Sequence, residues 1–379
     1  LWVFRRAFSW GQHCDTIDNI TLTSLSPLAW EMQDWSDFMV AIWGWMVLGI
    51  GFLIVTVTVY GWWSYQRFAR RMPKPPHQAA PFQPQPETWP NDRITVTWIG
   101  HSTMYINFYG VRLLTDPVFS EKVGVSVLRL WRVGSPRYTA PALTPTQLVG
   151  EVDILLLSHA HLDHLDLPSL RKLMGDKVQV VTAKGTSWVL RKLHFGSVAE
   201  LSTGQSLVTR EGVKVTALPV RHWGARYPWN RRYGWNGYIL EYRGHRLLFA
   251  GDTALTDSFR DLENSSEVPL ELAMMPIGAY SPDVFQVNHC TPEQAWSMFL
   301  DSGARWLAPM HWHTFVLSKE PVTEPLQRLL AAAGPQQDRV VLRWQGQVFT
   351  VPVALNEGEV SGEVMAEASI QREHGQVRS

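Results

Sequence analysis

The longest uninterrupted stretch in the hydrophobic pattern is residues 38–66, FMVAIWGWMVLGIGFLIVTVTVYGWWSYQ, with no charged side chain in 29 positions. Roughly 20 apolar residues carry a helix across a bilayer, so the run predicts a single transmembrane anchor. Trp43, Trp45, Trp62 and Trp63 lie toward its ends, where amphipathic rings favour the interface. A cleaved secretory signal would have a shorter apolar core and a small-residue cleavage site. Glu31, Asp34 and Asp37 precede the run; Arg67, Arg70, Arg71 and Lys74 follow it. Positive charge stays inside. That predicts single-pass insertion in the inner (cytoplasmic) membrane, with the C-terminal bulk on the cytoplasmic side. The basic cluster also suits anionic headgroups. Residues 1–37 read as irregular and receive no function; the chain opens on Leu1, and Met32 and Met39 are candidate starts.

Residues 67–90 read as a basic and proline-rich linker. Its stretch 73–90, PKPPHQAAPFQPQPETWP, has seven prolines in 18 positions, which predicts an extended, semi-stiff tether. The pattern then alternates over 91–355. RITVTWIG, MYINFYGVRLLTDPV, VDILLLS, VQVVTA, VKVTALPV, GYILEYRGHRLLFAGD, LAMMPIG and RWLAPM read as strands. DLPSLRKLM, GTSWVLRKL, LTDSFRDL, TPEQAWSMFL and EPLQRLLAAAG read as helices. Tyr109-Gly110 and Arg243-Gly244 look like hairpin turns. This mixture predicts an α/β domain with two sheets covered by helices. The polar tail 356–379 reads as disordered.

Composition narrows the chemistry. Formal net charge is zero, which argues against nucleic acid as a partner. The two cysteines, Cys14 and Cys290, provide neither a disulfide framework nor a zinc-finger spacing. A metal would therefore be held by imidazole and carboxylate. The 19 tryptophans suit work near lipid as well as ordinary burial.

The apolar strand LLL runs straight into SHAHLDHLD, residues 158–166. In extended backbone, residues two apart point the same way, so His159 and His161 can face one ion. Asp163 and His164 come where the chain turns into LPSLRKL. Zinc usually takes four ligands from imidazole nitrogen and carboxylate oxygen. Four candidates within six residues exceed one ordinary site, since other strands must also contribute; two adjacent metals are economical. His222, Asp252 and His311 each follow an apolar strand, where a sheet can present them to a shared cleft. Each has a bland alternative taken alone, a packing histidine or, for Asp252, a helix cap. Beside the His159 motif those readings weaken.

HAHLDH, His222, GDT and the late His311 resemble the metallo-β-lactamase fold superfamily of binuclear hydrolases. VTWIGHSTMYINFYGVRLLTDPVFS, MMPIGAYSP and APMHWHTF are most similar to the N-acyl-phosphatidylethanolamine-hydrolysing phospholipase D family. The resemblance covers roughly residues 92–345 and implies an αββα sandwich with the site at one sheet edge. It implies two Zn2+ per chain, with Mn2+ as the alternative. One ion would use His159, His161, His222 and Asp252; the other would use Asp163, His164, Asp252 and His311, with Asp252 bridging. It matches His289 to a histidine facing substrate, and Asp116 to a carboxylate that orients a ligand imidazole through its second nitrogen. The sequence departs from the family at Leu162, where the animal members have a lipid-contacting tyrosine, and at His313, where glycine is usual. His101, in WIGHST, reads as structural or outer to the ligands.

The expected function is hydrolysis of a phospholipid phosphodiester, releasing N-acylethanolamine and phosphatidic acid. Two ions about 3.5–4 Å apart would lower the pKa of a water to near ~7 and offset charge on the phosphoryl oxygens. His289 is the candidate for holding a phosphate oxygen or protonating the leaving group. The segment 221–238, RHWGARYPWNRRYGWNGY, could meet an anionic headgroup and an acyl chain. The expected partners are a phospholipid substrate and the membrane, with a homodimer by family analogy. The alternative is a lactonase or phosphoesterase acting on a small soluble substrate, since one fold hosts many activities. A non-catalytic scaffold is disfavoured by the complete ligand set.

Overall fold

The apolar strands alternate between two faces, and both faces are covered. In the computed structural model, which describes residues 26–127, 131–227, 230, 232–260 and 262–352, Val96, Trp98, Ile106, Ile154 and Leu156 point into one core. Ile99, Tyr105, Leu155 and Leu157, one residue out of phase, point into another. Period-2 side-chain direction makes the division. A strand buried on both sides reads as a continuous apolar run, which explains LLL before the histidine motif.

Strands β1 (Ile94–Gly100), β2 (Thr103–Phe108) and β3 (Val111–Thr115) form an antiparallel meander. A separate hairpin, β4 (Lys122–Val127) with β5 (Trp131–Pro136), follows. Next, β6 (Ile154–Leu157), β7 (Gly175–Ala183) and β8 (Phe195–Leu201) join β3 in parallel. β9 (Ser206–Val208), β10 (Lys214–Leu218), β11 (Gly237–Tyr242), β12 (His245–Phe249), β13 (Leu270–Pro276) and β14 (Trp306–Met310) build the second sheet. The short β15 (Val348–Thr350) returns to pair with β1, completing the first.

Of the helices, α1 (Ser26–Ala69) precedes the sheets. Leucines and valines of α2 (Pro145–Leu148), α3 (Leu167–Lys172) and α4 (Ser187–Leu190) cover the outer face of the first sheet. α5 (Pro292–Asp301) and α6 (Glu324–Ala333) cover the second: Trp296, Phe299, Leu326 and Leu329 extend the inter-sheet core. The order is αββα. Local sequence sets the helix starts. Thr291 and Gln294 form a reciprocal capping box at α5, with Pro292 in the first turn. The Asp166 carboxylate accepts from Ser169 N at the start of α3.

Several elements differ from the sequence reading. The helix α1 is longer than 38–66: it starts at Ser26, taking in residues read as irregular, because an apolar stretch once helical propagates through neighbours with no breaker. Its span Trp35–Arg67 is long and apolar enough to cross a membrane; an 18-residue window within it has a mean hydropathy of 2.3 and no buried residue. The described residues of LTDSFRDL, 255–260 and 262, form bends and turns, not a helix. Thr256 Oγ1 accepts Ser258 N at 3.2 Å, and such local bonds compete with the helical ladder. The strands β8 and β9, and the hairpin β4–β5, were not foreseen. Residues 1–25 and the tail 356–379 lie outside the described residues.

The chain divides into two bodies after Arg71. The proline-rich segment is not a free tether throughout; from Gln78 it is strapped onto the second body. Gln78 N donates to Tyr138 O at 2.7 Å, and Gln78 O accepts from Ala140 N at 2.9 Å. Pro90 O accepts from Asn107 Nδ2 at 2.7 Å. Trp89 is buried against Tyr105, ring centroids 5.7 Å apart. Prolines suit such a strap because an edge segment has little need of N–H donors. Gly346 lets it approach: a Cβ there would lie 1.9 Å from Phe82 O, and its φ is +83°. Gly346→Ala is therefore expected to cost more than about 1 kcal/mol in denaturant unfolding and to speed proteolytic cleavage between residues 74 and 90. Unchanged cleavage would mean the strap is not held there.

Candidate metal centre

Five strands lead to a polar residue at the same rim. β1 runs into His101, β6 into His159, and β14 into His311. Asp252 follows β12 after a tight turn at Gly251, whose φ is +61°. His222 comes four residues beyond β10. The turn after β6 adds His161, Asp163 and His164, with His164 N and Leu165 N both bonded to His161 O. Arg226 pins that turn, donating to Ala160 O at 2.9 Å and Leu165 O at 2.8 Å. Backbone strain gathers here. His101, Asp116, Ala279 and His311 have φ of 53°, 31°, 64° and 62°, a region non-glycine residues rarely occupy.

Several overlapping groups of ligand atoms result. One atom each from His159, His161 and His222 lies within 4.8 Å of the others. So do atoms from His101, Asp163, His164 and His311, and from His222, Asp252 and His289. Asp252 Oδ2 joins the groups: it is 3.1 Å from His164 Nε2 and His311 Nε2, and 3.8 Å from His222 Nε2 and His289 Nδ1. Asp163 Oδ2 is 3.6 Å from His164 Nε2 and from His311 Nε2.

The tautomers follow from the outer bonds. Asp116 Oδ2 accepts from His164 Nδ1 at 2.7 Å and from Ser158 Oγ at 2.5 Å. Ser158 Oγ in turn accepts from His159 Nδ1 at 2.8 Å. His222 Nδ1 donates to Asn288 O at 2.9 Å. In their neutral forms His159, His164 and His222 thus carry hydrogen on Nδ1 and turn a bare Nε2 lone pair inward. His159 Nε2 and His222 Nε2 both face His161 Nδ1, at 2.8 and 3.2 Å. One N–H cannot satisfy two acceptors, so the geometry suits a cation at their focus. His161 Nε2, His164 Nε2, Asp252 Oδ1 and His311 Nε2 make no directed hydrogen bond. Imidazole and carboxylate without thiolate is a donor set for zinc, manganese or iron. The residues fit a metal.

Charge distinguishes the groups. Burial, helped by neighbouring imidazoles, holds His159 and His222 well below the ordinary histidine range and His161 at about 4. Burial also opposes charge on His164 and His311, but Asp252 and Asp163 outweigh it; His164 is raised well above its ordinary value and His311 to about 9. Burial would raise Asp163 and Asp252, yet His164 and its neighbours hold both well below the usual carboxylate range.

A cavity of about 270 Å³ opens over the cluster. His161, Asp163, Asp252, His289 and His311 line one part; Val123, Leu162, Trp223, Phe285 and Leu317 line the rest. His289 and Leu162 thus both face the cavity, whereas Asp116 lies behind His164, fully buried. Burial pushes His289 down to about 4. The segment 221–238 contributes Trp223 to the wall and Arg226 to the turn, while 228, 229 and 231 lie outside the described residues. His313 takes φ of 50°, which accounts for a preference for glycine there, and packs between Tyr138 and Trp344 away from the cluster. His101 was placed outside the ligands by the sequence reading, yet it reaches the Asp163 group. The strand-exit pattern that singled out His222 and His311 marks it equally. Ser158 and Arg226 carried no such signal.

A family model described as Beta-lactamase superfamily domain matches residues 111–312. An uncharacterized protein of Mycobacterium tuberculosis is 35% identical over 289 residues, covering 72% of this chain and 74% of its own length. The mitochondrial N-acyl-phosphatidylethanolamine-hydrolyzing phospholipase D of Saccharomyces cerevisiae is 34% identical over 255 residues, 64% of this chain and 53% of its own. Among solved structures, a possible metal-dependent hydrolase from Veillonella parvula superposes with a TM-score of 0.55 at 14% identity, over 68% of this chain and all of its own. That likeness concerns the fold.

The imidazole pKa values set a pH response for the metal-free chain. Unfolded histidines protonate near 6.5; folded His101, His161 and His289, held down first by burial, wait until about 3, 4 and 4. Below 6.5 the unfolded state binds more protons, so stability falls with pH. His311, raised to about 9, contributes fully below 6.5 and loses that contribution as pH rises through 9. The chelator-treated protein should melt at a lower temperature at pH 4.5 than at pH 6.5. An unchanged midpoint would contradict the neutral imidazoles.

Proposed function

The chain belongs to the beta-lactamase superfamily and is a metal-dependent hydrolase, and on that premise we propose that it is a membrane-anchored phosphodiesterase of phospholipase D type. Its substrate would be an N-acyl-phosphatidylethanolamine-like phospholipid. Water adds across the bond between phosphorus and the ethanolamine oxygen, giving N-acylethanolamine and phosphatidic acid. The observation that carries this reading is the divided cavity: a metal-ligand cluster on one side and Val123, Leu162, Trp223, Phe285 and Leu317 on the other. An amphiphile with a phosphodiester matches both halves; a small polar substrate leaves the apolar half unused. The yeast relative supports the same substrate class.

His159, His161, His222 and Asp252 would hold one ion, and Asp163, His164, His311 and Asp252 the other. Two Zn2+ suit this donor set, and Mn2+ is the alternative. When bound, such a pair supplies Lewis acidity and an ionised water at neutral pH. The protein's own groups do the rest. Asp116 and Ser158 orient the imidazoles. His289, with its pKa pushed down to about 4, is neutral at pH 7 and suits holding a phosphate oxygen through a ring N–H better than supplying a proton. The apolar wall takes the acyl portion and excludes water. The helical span Trp35–Arg67 would place the enzyme in the inner membrane, with the basic flank Arg67, Arg70 and Arg71 and the catalytic body on the cytoplasmic side.

The full chain in detergent should release N-acylethanolamine from N-acyl-phosphatidylethanolamine and contain about two divalent ions. His159→Ala should lose at least about 100-fold in turnover, since even outer-ligand changes at metal sites cost 10–100-fold. Hydrolysis of lactones with none of the phospholipid would replace this reading with a soluble-substrate one.

A further inference from the structure

We propose that His101 is a positioning residue: its ring N–H fixes the Asp163 carboxylate, and so governs retention of the ion on the Asp163–His164–His311 side but not of its neighbour. This rests on the two-ion reading above. His101 sits in the β1–β2 turn with a left-handed φ of 53°, and its backbone is held at both ends. Its N–H donates to Thr314 Oγ1 at 2.7 Å, and Thr314 Oγ1 also accepts from Gln345 Nε2 at 2.7 Å. Its carbonyl accepts from Trp98 Nε1 at 2.8 Å and from His311 N at 3.0 Å. The same residue that presents a ring to Asp163 therefore sets the backbone of His311.

The ring is 1% exposed and is packed between Phe315, edge-on at 5.3 Å, and His311 at 4.2 Å. Such packing leaves one direction for Nε2, which stands 3.1 Å from Asp163 Oδ2. Asp163 needs that restraint. It lies in a turn, its side chain is 18% exposed, and the Nε2 atoms of His164 and His311 are each 3.6 Å away, beyond hydrogen-bond reach. With hydrogen on Nε2, His101 directs the carboxylate, and that nitrogen has no lone pair to offer an ion. The ligand atoms of His159, His161 and His222 form a separate group that excludes it, so its loss acts on one side.

The test compares two near-isosteric replacements in the full, detergent-solubilised chain. His101→Gln keeps an N–H donor; His101→Met does not. Zinc is titrated into chelator-treated protein, and bound equivalents and affinities are read by calorimetry and elemental analysis. Wild type should take two equivalents. His101→Met should keep one at wild-type affinity and weaken the other by about 10–100-fold; His101→Gln should keep both. If His101→Met binds both as wild type does, or if Gln loses as much as Met because the ring is a ligand, the proposal is overturned. Should His101→Met not fold, His101→Gln decides alone: two equivalents support the proposal, and a lost one overturns it. Fewer than two equivalents in wild type would remove the two-ion reading and this inference together.

Discussion

The mutual exclusion of buried lone pairs is the constraint on which the rest of the structure depends. Three nitrogens of His159, His161 and His222 converge with one proton at most among them, and two of the three rings, His159 and His222, are buried. Unpaired polar groups in such a place are costly. The arrangement persists because the αββα layers leave the strand ends nowhere else to go: both faces of the first sheet are filled, and each rim residue lies at a strand end or in the short loop that follows one. The scaffold supplies the repulsion, and a cation relieves it.

How much was legible in the sequence follows from the same geometry. His222, Asp252 and His311 could be read because each follows an apolar run, and period-2 burial makes a strand's end a predictable place. His101 has the same position after β1, but seven other residues with Asp252 shared already fill two four-ligand spheres, so sequence alone assigns it no place among them. Distances, not spacing, place its ring beside Asp163. Ser158 and Arg226 were invisible for another reason. A serine before a histidine and an arginine in an aromatic loop carry meaning only once the turn at 159–165 is folded.

Elsewhere the misreadings are local. FGSVAEL, at β8, alternates buried and exposed positions with small and polar residues and so lacks an apolar run. LTDSFRDL has helical spacing at Phe259 and Leu262, but the Thr256 hydroxyl takes the Ser258 N–H in place of a helical carbonyl. The proline-rich strap looked free because proline signals extension and says nothing of contact. What lets it lie close is a glycine 264 residues later than Phe82, at Gly346, and no local rule reports that.

One carboxylate ties the rim together. Asp116 Oδ2 bonds directly to His164 and, through the Ser158 hydroxyl, to His159, and these imidazoles belong to different ligand groups. Any change in electron demand at one ring is passed to the other through a single oxygen. The Asp116 carboxylate thus sets the hydrogen positions of two imidazoles at once. Losing it would free two rings to turn rather than one, so a single buried oxygen keeps both sides of the rim in register.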